Sequence, residues 1–182
     1  MDPSDPPKIV VLALGNLIRS DDAIGLFALR HLEEDPRLPL HVNLVEGGTK
    51  GLELVPYICD ASCLLVLDAV DAGAIPGTVL RIAGEDLRAI PGNGNAHELA
   101  LADILNALRM MGHEPPEVVL LGVQPLITEL GTVLSAPLQQ ALPNLVEAAV
   151  TELCRWGPSG ESSVCEAAGA VRTGVAIPVL DG

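Results

Sequence analysis

Aromatic residues are scarce in this sequence of 182 residues: Phe, Tyr and Trp occur once each and together make up 2% of the chain. Proteins that bind single-stranded nucleic acid stack bases on several aromatic side chains, so Phe27, Tyr57 and Trp156 do not supply such a surface. The core must instead be built from aliphatic side chains. Hydrophobic residues make up 49% of the sequence, which is enough for a folded domain.

Basic residues are also few, with 10 Lys and Arg against 24 Asp and Glu, for a formal net charge of −14. Lysine stands only at positions 8 and 50. Such a surface repels a phosphate backbone, so nucleic acid is not expected as a partner. The same charge suits metal cations or a basic segment of a protein partner.

Long apolar runs are missing, since each run has the length of a strand and none approaches a membrane helix. The first residues, MDPSDPPKIV, are acidic and proline-rich rather than basic and then apolar, so no signal peptide is expected. Four cysteines stand at positions 59, 63, 154 and 165, none in a C-x-x-C pair, and predict reduced thiols rather than a disulfide scaffold. We therefore expect a cytoplasmic protein without membrane association.

Apolar runs alternate with segments of helical periodicity along the chain. Strands are predicted at 8–15, 42–47, 63–70, 77–83 (as an edge or hairpin element) and 117–123, and helices at 22–34, 50–58, 97–111 and from 135 onward. Near-continuous apolar strands that alternate with helices predict an α/β fold. We expect a single three-layer αβα domain with a mostly parallel sheet over residues 1–156, and a flexible tail over the Gly/Ser/Ala-rich residues 157–182.

Three details of this prediction concern loops and caps. Residues 84–96 are rich in Gly, Pro and Asn and predict a long loop. Ser135 is a candidate N-cap, with Pro137 in the first turn of the last helix. Pro143 is expected to kink or divide that helix.

Polar residues follow two predicted strands and open a later helix. Asn16 to Asp22 follow the first strand, Asp68 ends the third, and His97 opens the helix after the long loop. In open parallel sheets ligands bind beyond the carboxyl ends of the strands, so these groups can converge. Two carboxylates and one imidazole suit a divalent transition metal such as Ni, Zn or Mn and leave coordination positions open.

Each of these residues also has an ordinary structural role open to it. Asp21 and Asp22 stand where N-capping and the helix dipole favour acidic residues. Asp68 needs a partner if it is buried after five apolar strand residues, and a structural hydrogen bond to a nearby loop could provide it. His97, taken alone, fits a solvated histidine.

Common catalytic motifs are absent. The sequence contains no H-E-x-x-H, no G-x-S-x-G and, after the first strand, no G-x-G-x-x-G. A common zinc-protease arrangement is excluded, and a small-molecule hydrolase or a nucleotide-binding enzyme is disfavoured.

Four segments in order resemble the motifs of the [NiFe]-hydrogenase maturation endopeptidases: LALGNLIRSDDAIG, EGGTKGLEL, LLVLDAVDAG and HELALADILNALRMMGHEPPEVVLLGVQP. The resemblance covers about residues 8–153. It implies a single αβα domain that removes a C-terminal extension from the hydrogenase large-subunit precursor after nickel has been inserted.

The resemblance also implies roles for individual residues. The family's metal-contacting and catalytic positions fall on Asp22, Asp68 and His97. The residues expected to shape the substrate cleft are Asn16, Gly47, Gly48 and Thr49, the last also as a cap of the next helix. The Ni²⁺ is expected to belong to the substrate, with no permanent cofactor, and the protein to be a monomer. A nickel carrier that does not hydrolyse its partner is the main alternative.

Overall fold

A five-stranded sheet forms the centre of the protein. The computed structural model describes residues 7–88 and 96–157, with the backbone alone at positions 85, 88 and 96–100. The strands are β1 (Ile9–Leu14), β2 (Val42–Gly48), β3 (Cys63–Ala69), β4 (Val79–Ala83) and β5 (Glu117–Val123). The helices are α1 (Ile24–Glu33), α2 (Val55–Ile58), α3 (Ala96–Met110) and α4 (Ala136–Trp156).

The strand order is β2-β1-β3-β5-β4. The pairs β1–β2, β1–β3 and β3–β5 are parallel, and β4 runs antiparallel to β5 at the edge of the sheet. The prediction of a mostly parallel sheet with an edge strand at 77–83 is therefore confirmed. From β1 the chain passes to β2 on one side of it and then crosses back to β3 on the other side, so the switch point of the sheet lies between β1 and β3.

Side chains of the central strands alternate between two hydrophobic cores. Ile9, Val11 and Ala13 of β1 pack in the core that includes the buried faces of α1 and α4. The intervening residues of β1 pack in the second core, with Ile104 and Leu108 of α3. Because the side chains of a strand point to opposite faces in turn, β1 separates the helices into two layers. The three-layer αβα prediction is confirmed.

Several boundaries differ from the prediction. The segment expected to be a loop at 84–96 contains a 3-10 helix over Gly84–Arg88, and Ala96 already begins α3, while 89–95 lie outside the described residues. Helix α4 continues past Pro143 without a break, so this proline does not divide the helix, and the kink, the other expected outcome, stays a prediction. The predicted tail lies outside the described residues from position 158 onward.

Two further findings concern thiols and membranes. Cys59 and Cys63 are free thiols as expected, whereas Cys154 is disulfide-bonded, which corrects the expectation for that residue. Within the described part of the chain, no helix is both long enough and apolar enough to cross a bilayer.

Candidate active site

The turn that carries Asp22 lies against the carboxyl ends of β1 and β3. A 3-10 turn over Ser20–Ala23 leads directly into α1 and contacts β3. Gly25, at the start of α1, approaches both strands: a Cβ at this position would lie 2.6 Å from the Leu14 carbonyl oxygen and would overlap that of Leu67. Only glycine permits this approach, so the helix start is pressed onto the crevice at the switch point of the sheet.

Asp68 lies one residue before the end of β3 and is 2% exposed. Its Oδ1 accepts a hydrogen bond of 2.8 Å from the Ala69 backbone N–H. Leu64 and Val66, which alternate with it on β3, belong to the core that α3 covers. The period of the strand therefore places Asp68 on the same face as α3.

Asp22 is 8% exposed, and its Oδ2 is fully buried. Its backbone N–H donates to the Arg19 carbonyl over 3.1 Å. On the other side it meets Gly15, which has a φ of +127°, and a Cβ on Gly15 would overlap the Asp22 carbonyl oxygen. Asp22 thus follows β1, and Asp68 lies near the carboxyl end of the neighbouring strand β3, at the same end of the sheet.

His97 is the second residue of α3. The structure describes only the backbone of this residue, so the place of its side chain beside the two carboxylates stays a prediction. Helix α3 packs against the 3-10 turn over Gly51–Leu54, which follows the carboxyl end of β2. Among the described side chains, which do not include that of His97, no three His, Cys, Asp or Glu residues form a metal-binding group.

The glycines predicted to shape the cleft lie beside the first strand. Gly15 donates its N–H to the Gly48 carbonyl over 3.2 Å, and the β1–β2 register shifts between Ala13 and Leu14. Gly47 is packed so closely that a Cβ would lie 2.8 Å from a methyl group of Leu12. The end of β2 therefore lies against the loop that leads to Asp22.

Asn16 and Thr49 have different local roles. The Oδ1 of Asn16 accepts the Ile18 N–H over 3.1 Å and so shapes the loop after β1. Thr49 is exposed, and the following 3-10 helix has Lys50 at its N-cap with no side-chain cap bond. The expectation that Thr49 caps this helix is wrong.

Two buried polar residues at this edge were not singled out from the sequence. Asp21, which the sequence left open between a cap and a part of the polar group after β1, is 0% exposed and bonds to the segment between β5 and α4. Gln124 is 6% exposed, accepts the N–H groups of Ala72 and Ala74, and donates to Asp71. The sequence could have identified Gln124 as a candidate, because it is the first polar residue after the apolar strand β5.

The amide of Gln124 also affects the charge on the loop after β3. It holds the pKa of the Asp71 carboxyl below its usual value, and the Gly73 backbone N–H adds to this effect. Hydrogen bonds that favour the charged form of a carboxyl lower its pKa in this way.

Residues 28–152 match the model of a protein family described as hydrogenase maturation protease. The matched range contains Asp68 and His97 and begins after Asp22. The chain is 34% identical to the hydrogenase 2 maturation protease of Escherichia coli K12, covering 81% of this chain and 96% of that protein. It is 32% identical to the hydrogenase expression/formation protein HupD of Rhizobium leguminosarum bv. viciae, covering 86% of this chain and 79% of that protein.

The chain belongs to the hydrogenase maturation protease family. A solved structure, the hydrogenase maturating endopeptidase HybD from E. coli, superposes with a TM-score of 0.77 at 31% identity, covering 81% of this chain and 93% of that one. The family and fold expected from the sequence motifs are therefore confirmed, and the protein is a peptidase of hydrogenase maturation.

Proposed function

We propose that this maturation protease removes the C-terminal extension of a [NiFe]-hydrogenase large-subunit precursor after nickel insertion, and that Asp22, Asp68 and His97 engage the precursor's nickel. The observation that carries the proposal is the close contact between the start of α1 and the carboxyl ends of β1 and β3. Through Gly25 it brings the Asp22 turn against β3, beside the strand end that holds Asp68. Two carboxylates at the switch point of the sheet can bind a divalent metal while leaving other coordination positions to the precursor.

Nickel is part of the substrate in this proposal. Nickel held by the precursor would complete its coordination with the two carboxylates and the imidazole, and the scissile peptide bond would then lie in the cleft. Engagement of the metal thereby reports that insertion is complete. A precursor without nickel lacks the group that these side chains recognise.

Hydrolysis can proceed in two ways from this arrangement. Nickel can polarise the scissile carbonyl or lower the pKa of a bound water, or one of the two carboxylates can accept the proton of the attacking water. In both routes the two aspartates must be ionised and accessible from the cleft. Asp68 and Asp22 are nearly fully buried, so bulk water has little access to them and the precursor must reach them through the cleft.

The first test compares two forms of the precursor, one loaded with nickel and one free of nickel. The purified protein is incubated with each, and the size shift of the large subunit is followed on a gel over time. We expect the loaded form alone to be shortened. Equal cleavage of both forms would refute nickel recognition. An intact loaded precursor, together with tight Ni²⁺ binding by the isolated protein, would identify a carrier instead.

The second test uses alanine variants of the three proposed residues. Asp22→Ala, Asp68→Ala and His97→Ala are each expected to lower the cleavage rate by about 100-fold or more, the usual result of removing a preorganised electrostatic group. Asp103 and His113 are exposed residues of the same types, and their alanine variants serve as matched controls with unchanged rates. Wild-type rates in Asp22→Ala or His97→Ala would contradict the assignment.

A further inference from the structure

Asp21, the neighbour of Asp22, has a carboxylate that is fully buried and fully engaged. Its Oδ2 accepts hydrogen bonds from the N–H groups of Leu126 and Ile127, each 2.9 Å, and from the Ser135 hydroxyl at 2.8 Å. Its Oδ1 accepts the Ser135 N–H over 2.6 Å. Four donors on one carboxylate compensate for its desolvation, and hydrogen bonds to a charged acceptor are the stronger kind.

These bonds join two segments that are more than 100 residues apart in the sequence. One is the loop after β1, and the other is the connection between β5 and α4. Ser20 adds two further bonds, from its N–H to the Gly131 carbonyl over 2.8 Å and from its hydroxyl to the Glu129 carbonyl over 3.1 Å. Ser20 has a φ of 47°, a conformation that is uncommon outside glycine. The turn before Asp22 is therefore held by the distant segment, at some backbone strain.

The position of Asp22 is consequently fixed from two sides. Gly15 lies against its carbonyl on the side of β1. On the other side, the carboxylate of Asp21 fastens the turn to the start of α4, where Ser135 is the N-cap residue. Ser135 itself makes no side-chain cap bond and gives its hydroxyl to Asp21. A capping residue is thus used to hold the turn rather than its own helix.

We propose that Asp21 is a positioning residue that sets Asp22 for contact with the precursor's nickel. The proposal rests on the function proposed above and adds a residue that touches neither metal nor substrate. A ligand must be held within about 0.5 Å of its productive place, and supporting hydrogen bonds provide that accuracy. Loss of such outer partners typically weakens metal affinity by about 10- to 100-fold.

A purely structural carboxylate would also destabilise the protein when it is changed, so the test must separate the two roles. The affinity for nickel-loaded precursor is measured for the wild type, Asp21→Asn, Asp22→Ala and the double variant, at a temperature where circular dichroism shows all four folded. We expect Asp21→Asn to weaken binding by about 10-fold or more. The double variant should bind no more weakly than Asp22→Ala alone, because Asp21 acts through Asp22. Additive losses, or an unchanged affinity for Asp21→Asn, would overturn the proposal.

Ser135→Ala provides a milder variant that leaves the charge unchanged and removes one of the four donors. It should weaken binding less than Asp21→Asn does. In a protein that already carries Asp22→Ala, it should cause no further loss of affinity. Thr132→Ala, at an exposed position in the same connection, is the matched control and should bind like the wild type.

Amide exchange of the protein alone separates this proposal from the function on which it rests. The Asp22 N–H donates to the Arg19 carbonyl, and its exchange should become faster in Asp21→Asn. Unchanged protection of this amide would overturn the positioning role whatever the precursor experiments give. Faster exchange combined with equal binding of loaded and nickel-free precursor would sustain the positioning of Asp22 and refute nickel recognition.

Discussion

At the scale of single residues, Gly15 shows how closely the backbone is packed around Asp22. Its φ of +127° is strained for any other residue, and a Cβ would overlap the Asp22 carbonyl oxygen. Gly15→Ala must therefore displace the turn or the strand end. We expect the melting temperature to fall by more than the ~2–4 °C that corresponds to about 1 kcal/mol in a chain of this size. Cleavage of the precursor should fall with it.

Gly112→Ala is the control for this prediction. Gly112 also has a positive φ, of 74°, but no atom lies within 4 Å of a Cβ built there. Its alanine variant should show only the cost of the left-handed conformation, about 1–2 kcal/mol, with cleavage at the wild-type rate. Equal losses of activity in both variants would show that strain, rather than the contact with Asp22, explains the effect at Gly15.

Gln124 supports the loop after β3 in a comparable way. Its Oε1 accepts the Ala72 N–H at 2.9 Å and the Ala74 N–H at 3.0 Å. Gln124→Leu leaves both donors without this acceptor and should lower the free energy of unfolding by about 1–3 kcal/mol. Urea denaturation measures the change, and the exposed Gln140→Leu should stay within about 0.5 kcal/mol of the wild type. A wild-type value for Gln124→Leu would show that water replaces the amide without loss.

The residues of the candidate site differ in how far the sequence could identify them. The position of Asp68 alone indicates a special role, because a carboxylate inside an apolar strand is costly to bury. The roles of Asp21 and Asp22 could not be separated in this way, since both suit the start of a helix. The partners that distinguish them, Leu126 to Ser135, lie more than 100 residues away. A long-range contact of that kind has no local pattern in the sequence.

At the scale of elements, periodicity predicted the central strands and the long helices well. β1 and β3 are buried at every position, which is what a continuous apolar run indicates. Of the two outcomes expected for Pro143, a kink or a division, the division of α4 does not occur. Pro143 lies within a helix whose apolar face is already held by Leu138 and Leu145 in the core. Tertiary packing therefore outweighs the local cost of the proline.

The connection after α1 is fastened to α4 by an ion-pair group. Arg37 donates to Asp35 through Nη2 at 2.8 Å and to Glu147 through Nη1 at 2.8 Å. The side-chain hydrogen bonds from Arg37 hold the pKa of the Asp35 carboxyl below its ordinary value, although burial opposes this. The paired, ionised form of Asp35 is thus favoured in the folded protein.

This shift predicts a pH-dependent difference between the wild type and Arg37→Gln. A carboxyl whose pKa is lowered on folding stabilises the protein fully above its unfolded pKa, about 3.9. That stabilisation is lost as the pH falls through the lower folded value. Urea unfolding at several pH values should show Arg37→Gln less stable than the wild type at pH 7, with the difference shrinking below about pH 4. Lys8→Gln, which breaks an exposed pair with Asp60, should show little difference at any pH. A constant difference for Arg37→Gln would refute the role of Asp35.

At the scale of the whole molecule, the sequence predicted the layers but not the order of the strands. Right-handed crossovers between parallel strands are compatible with several orders, and only the folded chain shows that β1 and β3 are neighbours. That neighbourhood is what brings the Asp22 turn to the strand that carries Asp68. The sequence could therefore predict candidate site residues near the strand ends. It could not predict that the start of α1 packs onto these ends, because the contact of Gly25 with two strands leaves no local pattern in the sequence.

We expect the folded domain to end close to residue 156. The hydrophobic core on the α4 side of the sheet extends to Leu153 and Trp156, and the match to the family model ends at residue 152. A chain that ends after Gly157 therefore keeps every residue of both described cores. In reducing buffer it should melt within about 2 °C of the full chain, a difference below 1 kcal/mol, and cleave loaded precursor at the same rate.

A second truncation provides the contrast. A chain that ends after Leu142 loses Leu145, Ala149 and Leu153, which are fully buried against the sheet. Loss of a buried leucine side chain such as Leu145 or Leu153 costs about 2–5 kcal/mol, so the two together are comparable to the whole stability of a domain. The shorter chain should not fold. If the chain ending at Gly157 melts well below the full protein or fails to cleave the precursor, residues 158–182 belong to the working domain, and the predicted boundary at residue 156 is wrong.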